Sequence, residues 1–396
     1  MKIHTKTQGE KITDIAKKYE VSEETIRRLN ELEGGEAATG EELLIQIPTR
    51  TYTTVWGDTV DRIALRFGIR KNELYSLNPW IIGRELIPGQ TLTLKTSERK
   101  MGMSVANGYF YQGCPKEKLL QTMPYLTYIT FAAAKADKRG VQNSFDCTKE
   151  VELCSANSKI PLIRVFDTYP ERYKEGGKMT EFAESLISIA TEGSYKGIVL
   201  DACSLSDSAE EFSAFLMILR KMMIGCDLIL ITEINENSPT EFSEYADGSV
   251  LYYPKYATAE PASFEEGERR IIGDFACKGE SAKTFIDLPS LAKGEQGFTS
   301  ISNALNLARQ RGCEIVKNES TLLSHFRDRK QGEYRFCSMS GLSALLELVG
   351  EFDYMGICFD IMRTPLSHLM LYDSMFKTSY YTNVRSREGC SRGVEE

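Results

Sequence analysis

The chain has 396 residues, enough for two or three domains, and its 42% hydrophobic and 26% charged content is ordinarily globular, with no low-complexity segment. With 56 acidic against 48 basic residues, the formal net charge of −8 argues against a phosphate-neutralising nucleic-acid binder and against adsorption on an anionic membrane. No stretch approaches the ~20 apolar residues of a bilayer span. The opening MKIHTKTQGEKI lacks the apolar core of a Sec signal, so synthesis in the cytosol is expected. Ten scattered cysteines without a CxxC pair, and only three histidines, give a zinc site little to draw on. Reduced and mostly buried thiols, no metal and no cofactor are the expectation.

The first hundred residues hold a duplication. QGEKITDIAKKYEVSEETIRRLN (8–30) aligns without gaps on WGDTVDRIALRFGIRKNELYSLN (56–78), with Gly9 on Gly57, Ile15-Ala16 on Ile63-Ala64, Tyr19 on Phe67 and Asn30 on Asn78. Each copy closes with a turn and a short apolar strand, GEELLIQIP (40–48) and PGQTLTLK (88–95). In the second copy TYTTV (51–55) alternates as a strand, and Asp58 or Thr59 is placed to cap a helix. Val60, Ile63, Ala64 and Phe67 form that helix's apolar stripe, and Gly68 sits where it should stop. A second helix, RKNELYSLN, follows, which predicts a strand–helix–helix–strand unit.

This pattern resembles the LysM module, with GDT, IA, the aromatic–Gly stop, LxxLN and PGQxL all in order in the second copy. The first copy diverges, with GEK for GDT and GEEL for PGQ. The boundaries expected are 1–49 and 50–96. LysM modules bind N-acetylglucosamine glycans such as peptidoglycan and chitin. The resemblance therefore implies a glycan groove beside Gly57, Asp58 and Thr59 and along Asn78, Pro79, Trp80, Ile81 and Ile82. The other reading of these residues is that they cap helices and hold the fold.

After a charged linker (97–102), 103–377 is close to the size of one (β/α)8 barrel, and 378–396 is a polar tail. Apolar β-rich runs lie at 106–111, 126–133, 160–166, 195–202, 227–234, 249–254, 282–289 and 354–361. Amphipathic helical stretches separate them, among them 179–193, 209–223 and 299–312. Eight strands in βα order predict a TIM barrel; periodicity alone leaves an open doubly wound sheet possible, but no GxGxxG or Walker loop follows any strand.

The barrel segment resembles glycoside hydrolase family 18, and most closely the LysM-bearing glycosidases of bacterial spore cortex. Its clearest stretch is 301–359, with helix, hairpin-bearing segment, helix and an eighth strand carrying Met355-Gly356-Ile357. Family 18 enzymes carry Asp-Gly-x-Asp-x-Asp-x-Glu on strand four. The Glu is the general acid, and the substrate's own acetamido oxygen is the nucleophile. Laid on YKGIVLDACSL (195–205), Gly197 takes the glycine position, Asp201 the last aspartate and Cys203 the acid position. A thiol neither reaches nor protonates like a glutamic acid of raised pKa. On strand six Tyr253 keeps the family's tyrosine but Pro254 replaces the acid that follows it. On strand eight Phe359-Asp360 stands where a sugar-flooring Trp is usual, so both are assigned to the barrel mouth. Arg335-Phe336-Cys337-Ser338 replaces the spore-type Trp-Phe-Glu-Asp.

Two functions follow from the resemblance. The first is a peptidoglycan-binding protein whose barrel is catalytically impaired, made without a Sec signal and laid into a spore coat, cortex or cell-wall layer. The second is an active cortex N-acetylglucosaminidase, working by substrate-assisted retaining hydrolysis with a displaced acid, Glu233 first and Asp360 next. A chitin-directed enzyme ranks below both. Asp201 has a plainer reading, as a strand-end acceptor of backbone N–H groups. Cys203 as a nucleophile finds no histidine at a strand end.

Overall fold

A computed structural model describes residues 1–32, 35–98, 100–167, 169–174, 176–203, 205, 209–253 and 263–378. Pro254 and residues 379–396 of the polar tail, both singled out from the sequence, lie outside the described residues.

Each front module pairs two antiparallel strands around two short helices. In the first, Lys2–Thr5 pairs with Glu42–Ile45 across helices Ile12–Tyr19 and Glu23–Leu29. In the second, Pro48–Thr53 pairs with Thr91–Thr96 across Val60–Phe67 and Lys71–Leu77. Thr59 starts helix Val60–Phe67 by accepting from the Arg62 N–H, and Gly68 ends it at φ 67°, the left-handed cap a glycine supplies without strain. Ile63, Leu74, Leu92 and Leu94 form the core of this module, with Trp80 and Ile81 packed against them.

The large domain is a closed barrel. Its eight parallel strands are Gly102–Phe110, Tyr128–Asp137, Ile160–Asp167, Gly197–Asp201, Ile229–Asn235, Gly248–Tyr252, Thr284–Asp287 and Gly356–Asp360. Each pairs with the next, and the eighth pairs back onto the first, with Ile357 opposite Ala106. The open-sheet alternative is thereby excluded. All eight strands fall on the apolar runs read from the sequence, because a strand covered on both faces must be apolar nearly throughout. Side chains alternate between two cores. Val105, Tyr128, Leu162, Val199, Ile231, Val250, Phe285 and Cys358 fill the barrel interior, while a larger layer packs the barrel against its helices.

Between strand seven and strand eight the chain builds a five-stranded antiparallel sheet, Leu291–Gly294, Gly297–Ser300, Val316–Lys317, Leu323–Asp328 and Gly332–Cys337. Helix Ile301–Arg311 packs on it around Ala304, Ala308, Phe326 and Phe336. Ser338, read above in the family's acidic motif, caps helix Met339–Glu351 by accepting from the Gly341 N–H at 2.9 Å. Among the described residues no helix is long and apolar enough to cross a membrane.

Candidate active site and glycan groove

Strand four delivers its residues by parity. Gly197, Val199 and Asp201 share the inward face, and a Cβ at Gly197 would lie 2.5 Å from the Ile229 carbonyl oxygen, so close strand packing alone demands this glycine. Asp201 stands at the C-terminal end of the strand, in register with Glu233 on strand five. One Oδ of Asp201 accepts from the Cys203 N–H at 3.0 Å, a turn that closes the strand. The other accepts from Arg164 at 3.2 Å.

Arg164 organises the mouth. It projects from strand three and grips Glu233 with two nearly parallel bonds, Nε to Oε1 at 2.7 Å and Nη2 to Oε2 at 2.6 Å. Tyr109 from strand one donates to the same Glu233 Oε1 at 2.6 Å. Glu233 is fully buried, at 1% exposure. Burial works against the guanidinium's charge, but Glu233 beside it outweighs that and holds the proton more firmly than usual. Burial, then the Glu233 charge, pushes the Tyr109 phenol well up. Tyr111 and Tyr252, also beside this cluster, are raised chiefly by burial.

Cys203 follows on the turn, half-buried, with its carbonyl accepting from Asn235 Nδ2 at 2.8 Å. Burial, and then the charges of Asp201 and Glu233, push its thiol well above the ordinary range, so it stays protonated and un-nucleophilic. Asp360 closes strand eight and accepts from the N–H groups of Met362 (2.9 Å) and Arg363 (3.0 Å). Its carboxyl is raised by burial against the pull of those bonds. Phe166 and Met362, both substantially exposed, add apolar surface at strand ends three and eight.

Two expected mouth residues are placed elsewhere. Phe359 is wholly buried in the layer between barrel and helices, because its neighbours Cys358 and Asp360 take the inward positions. Tyr253 belongs to the same outer layer, and it is Tyr252 that packs against the interior cluster. A one-residue step along a strand exchanges the two faces, so a motif aligned by eye can select the wrong tyrosine. Arg164 was missed, although a lone cation in the apolar run IPLIRVF was the available signal. Its inward parity with Leu162 could have been read from the same alternation.

In the second module the loop beside Gly57 is held by Asp58, whose Oδ2 accepts from the Val55 N–H and from the Tyr52 hydroxyl, each at 2.8 Å. Those bonds lower its carboxyl pKa, the backbone bond most. Gly57 takes a left-handed φ of 84°. Asn78 is completely buried and its amide spans Leu74 O, Thr93 O and Thr93 N at 2.7–2.9 Å. Pro79, Trp80 and Ile81 are buried as well, so this segment braces the fold rather than presenting side chains. What this end of the module does expose is apolar: Trp56 is 91% exposed and Ile87, on the neighbouring 86–90 segment, 66%. Thr54 links the two walls, donating its hydroxyl to Ile87 O at 2.6 Å. In the sequence Trp56 directly precedes GDT and Ile87 directly precedes PGQ, so the two motifs mark the ends of the exposed apolar pair.

Comparison with known proteins agrees with this architecture. The family model for the LysM domain matches residues 4–45 and 52–95. No curated protein matches the sequence. Among solved structures, the chain is similar to the spore cortex-lytic enzyme SleL of Bacillus megaterium QM B1551, at 17% identity and a TM-score of 0.72, covering 96% of this chain and 99% of that one. SleL of Bacillus cereus gives 16% identity, TM-score 0.72, and 96% and 100% coverage. A GH18 chitinase from Cycas revoluta in complex with (GlcNAc)3 gives 14% identity and TM-score 0.60 over 68% of this chain and 99% of that one. The chain therefore carries two LysM domains followed by a (β/α)8 barrel with the fold of the GH18 chitinases and the SleL cortex-lytic enzymes.

Proposed function

We propose that this protein binds N-acetylglucosamine-containing wall glycan, peptidoglycan of the spore cortex type above all, and that its barrel is impaired as a glycosidase. The two LysM domains support the glycan reading, as do structural neighbours that include a cortex-lytic enzyme and a chitinase complexed with (GlcNAc)3. The observation that carries the impairment is the state of the mouth. Where substrate-assisted hydrolysis needs a proton donor beside the leaving oxygen, strand four offers Cys203, a short thiol two residues beyond Asp201. Glu233, the displaced acid expected from the sequence, has both oxygens engaged by Arg164 and one also by Tyr109. A carboxylate whose oxygens already accept from Arg164 and Tyr109 is turned toward the barrel's own side chains rather than toward a leaving oxygen.

Losing a general acid costs on the order of 10²–10⁴-fold in rate. The test is sedimentation of the purified full chain with insoluble cortex peptidoglycan, together with an assay for new reducing ends at high protein concentration. Binding without turnover is expected; reducing ends that vanish in Asp201→Ala would refute impairment. One observation favours hydrolysis as a second reading: burial raises the Asp360 carboxyl pKa at the end of strand eight, the direction in which a general acid is tuned. That reading requires turnover lost in Asp360→Asn.

A further inference from the structure

The two LysM domains are equivalent in backbone but opposite in environment. Gly40 N donates to Lys6 O at 2.8 Å and Lys6 N to Glu41 O at 2.9 Å; in the second domain Gly89 N donates to Thr54 O at 2.8 Å and Thr54 N to Gln90 O at 2.9 Å. These bonds pair Ala38 with Ile87, Gly40 with Gly89, Glu41 with Gln90 and Glu42 with Thr91. Ile87 is 66% exposed, whereas Ala38 is 5% exposed and sits in the core of the barrel's five-stranded insertion with Ala304, Ala308 and Ile315.

The contact is close and specific. Ile315 N donates to Thr39 O at 2.9 Å, and a Cβ on Gly40 would fall 1.8 Å from Ile315 O, while one on Gly89 would meet nothing within 4 Å. Arg309 of the insertion holds Glu41 with two bonds, 2.6 and 3.1 Å, and also donates to the carbonyls of Asn30 and Glu31. Glu31 accepts from Lys118, Ser302 and the Leu366 N–H, and Glu42 from Ser340 and Lys317. The second domain has Pro79, Gln90 and Thr91 at the positions of these three acids, so this acidic set is peculiar to the first. The exposed indole is peculiar to the second, since Gln8 stands in place of Trp56.

We propose that the first LysM domain has become a docking element, with its groove wall occupied by the barrel insertion, and that the protein holds one glycan chain, through the second domain, between Trp56 and Ile87. This rests on the glycan reading above. It is tested on the full chain by titration calorimetry with N-acetylglucosamine tetramer and hexamer, paired with hydrogen exchange. One site per chain is expected, weakened at least tenfold in Trp56→Ala, with glycan protecting amides at 55–58 and 86–90 but not at 7–10 and 36–41. Two sites, or unchanged affinity in Trp56→Ala with protection at 7–10, overturn the docking role while leaving the glycan reading intact. No binding by the unaltered chain overturns both.

Discussion

Replacing Arg164 by Met separates a structural mouth from a catalytic one. The change keeps the side chain's length and apolar stem but removes the only cation that the described structure places on both Asp201 and Glu233. Two charges ~4 Å apart interact by about 4 kcal/mol at an effective dielectric near 20. Glu233 is 1% exposed, so water cannot take the guanidinium's place. Asp201, at 21% exposure, is partly solvated and loses less. Breaking one partner of a buried pair costs about 3–5 kcal/mol, and that is the loss expected for Arg164→Met in denaturant-induced unfolding. Arg164→Met combined with Glu233→Gln should recover a large part of it, because the stranded charge has gone and Tyr109 can still donate to the amide oxygen. A loss below about 1 kcal/mol, or a double variant no more stable than the single one, would show that the clamp is not holding the mouth together. Glu233 would then again be a candidate proton donor.

Three further outcomes can be measured by unfolding experiments. Gly40→Ala should cost more than Gly89→Ala by about 2 kcal/mol or more, since both carry the strain of a positive φ but Gly40→Ala alone collides with backbone; equal losses would contradict the docked first domain. Burial pushes the imidazole of His368 down to about 4, with Glu31 and Lys118 as its charged neighbours. The unfolded chain takes that proton near 6.5, so stability should fall by about 3 kcal/mol between pH 6.5 and pH 4. His368→Gln should flatten that slope, and a slope unchanged by the substitution would assign it to other groups. Asn78→Ala should lower stability by ~3 kcal/mol by stranding Thr93 N and two carbonyls; a loss of glycan affinity at unchanged stability would instead make Asn78 a binding residue.

Much of the architecture was legible in the residues. The repeat, its caps at Thr59 and Gly68, and the eight barrel strands all follow from local rules: a 3.6-residue stripe, a left-handed stop, a short run apolar on both faces. The same rules placed strand four, with Asp201 at its C-terminal end and Cys203 just beyond it. The site was legible only in part. Phe359 and Tyr253 were assigned to the mouth, and they point to the helices because parity is set by the barrel's pairing register, which a motif match does not see. Arg164, Tyr109 and Glu233 come from strands three, one and five, so their convergence depends on barrel closure.

The sequence by itself determined the modules, the alternating strands and helices of the large domain and the absence of a glutamate at position 203, because each depends on neighbours within a few residues. Only the tertiary structure decided that the eight strands close into a barrel, that Glu233 is bound to Arg164, and that the 38–42 edge of the first LysM domain packs on the barrel insertion while Trp56 and Ile87 of the second stay exposed. Those outcomes depend on which distant side chains meet in water-poor space. There a carboxylate's role is set by its partner, and nothing in the local sequence of either residue encodes that partner.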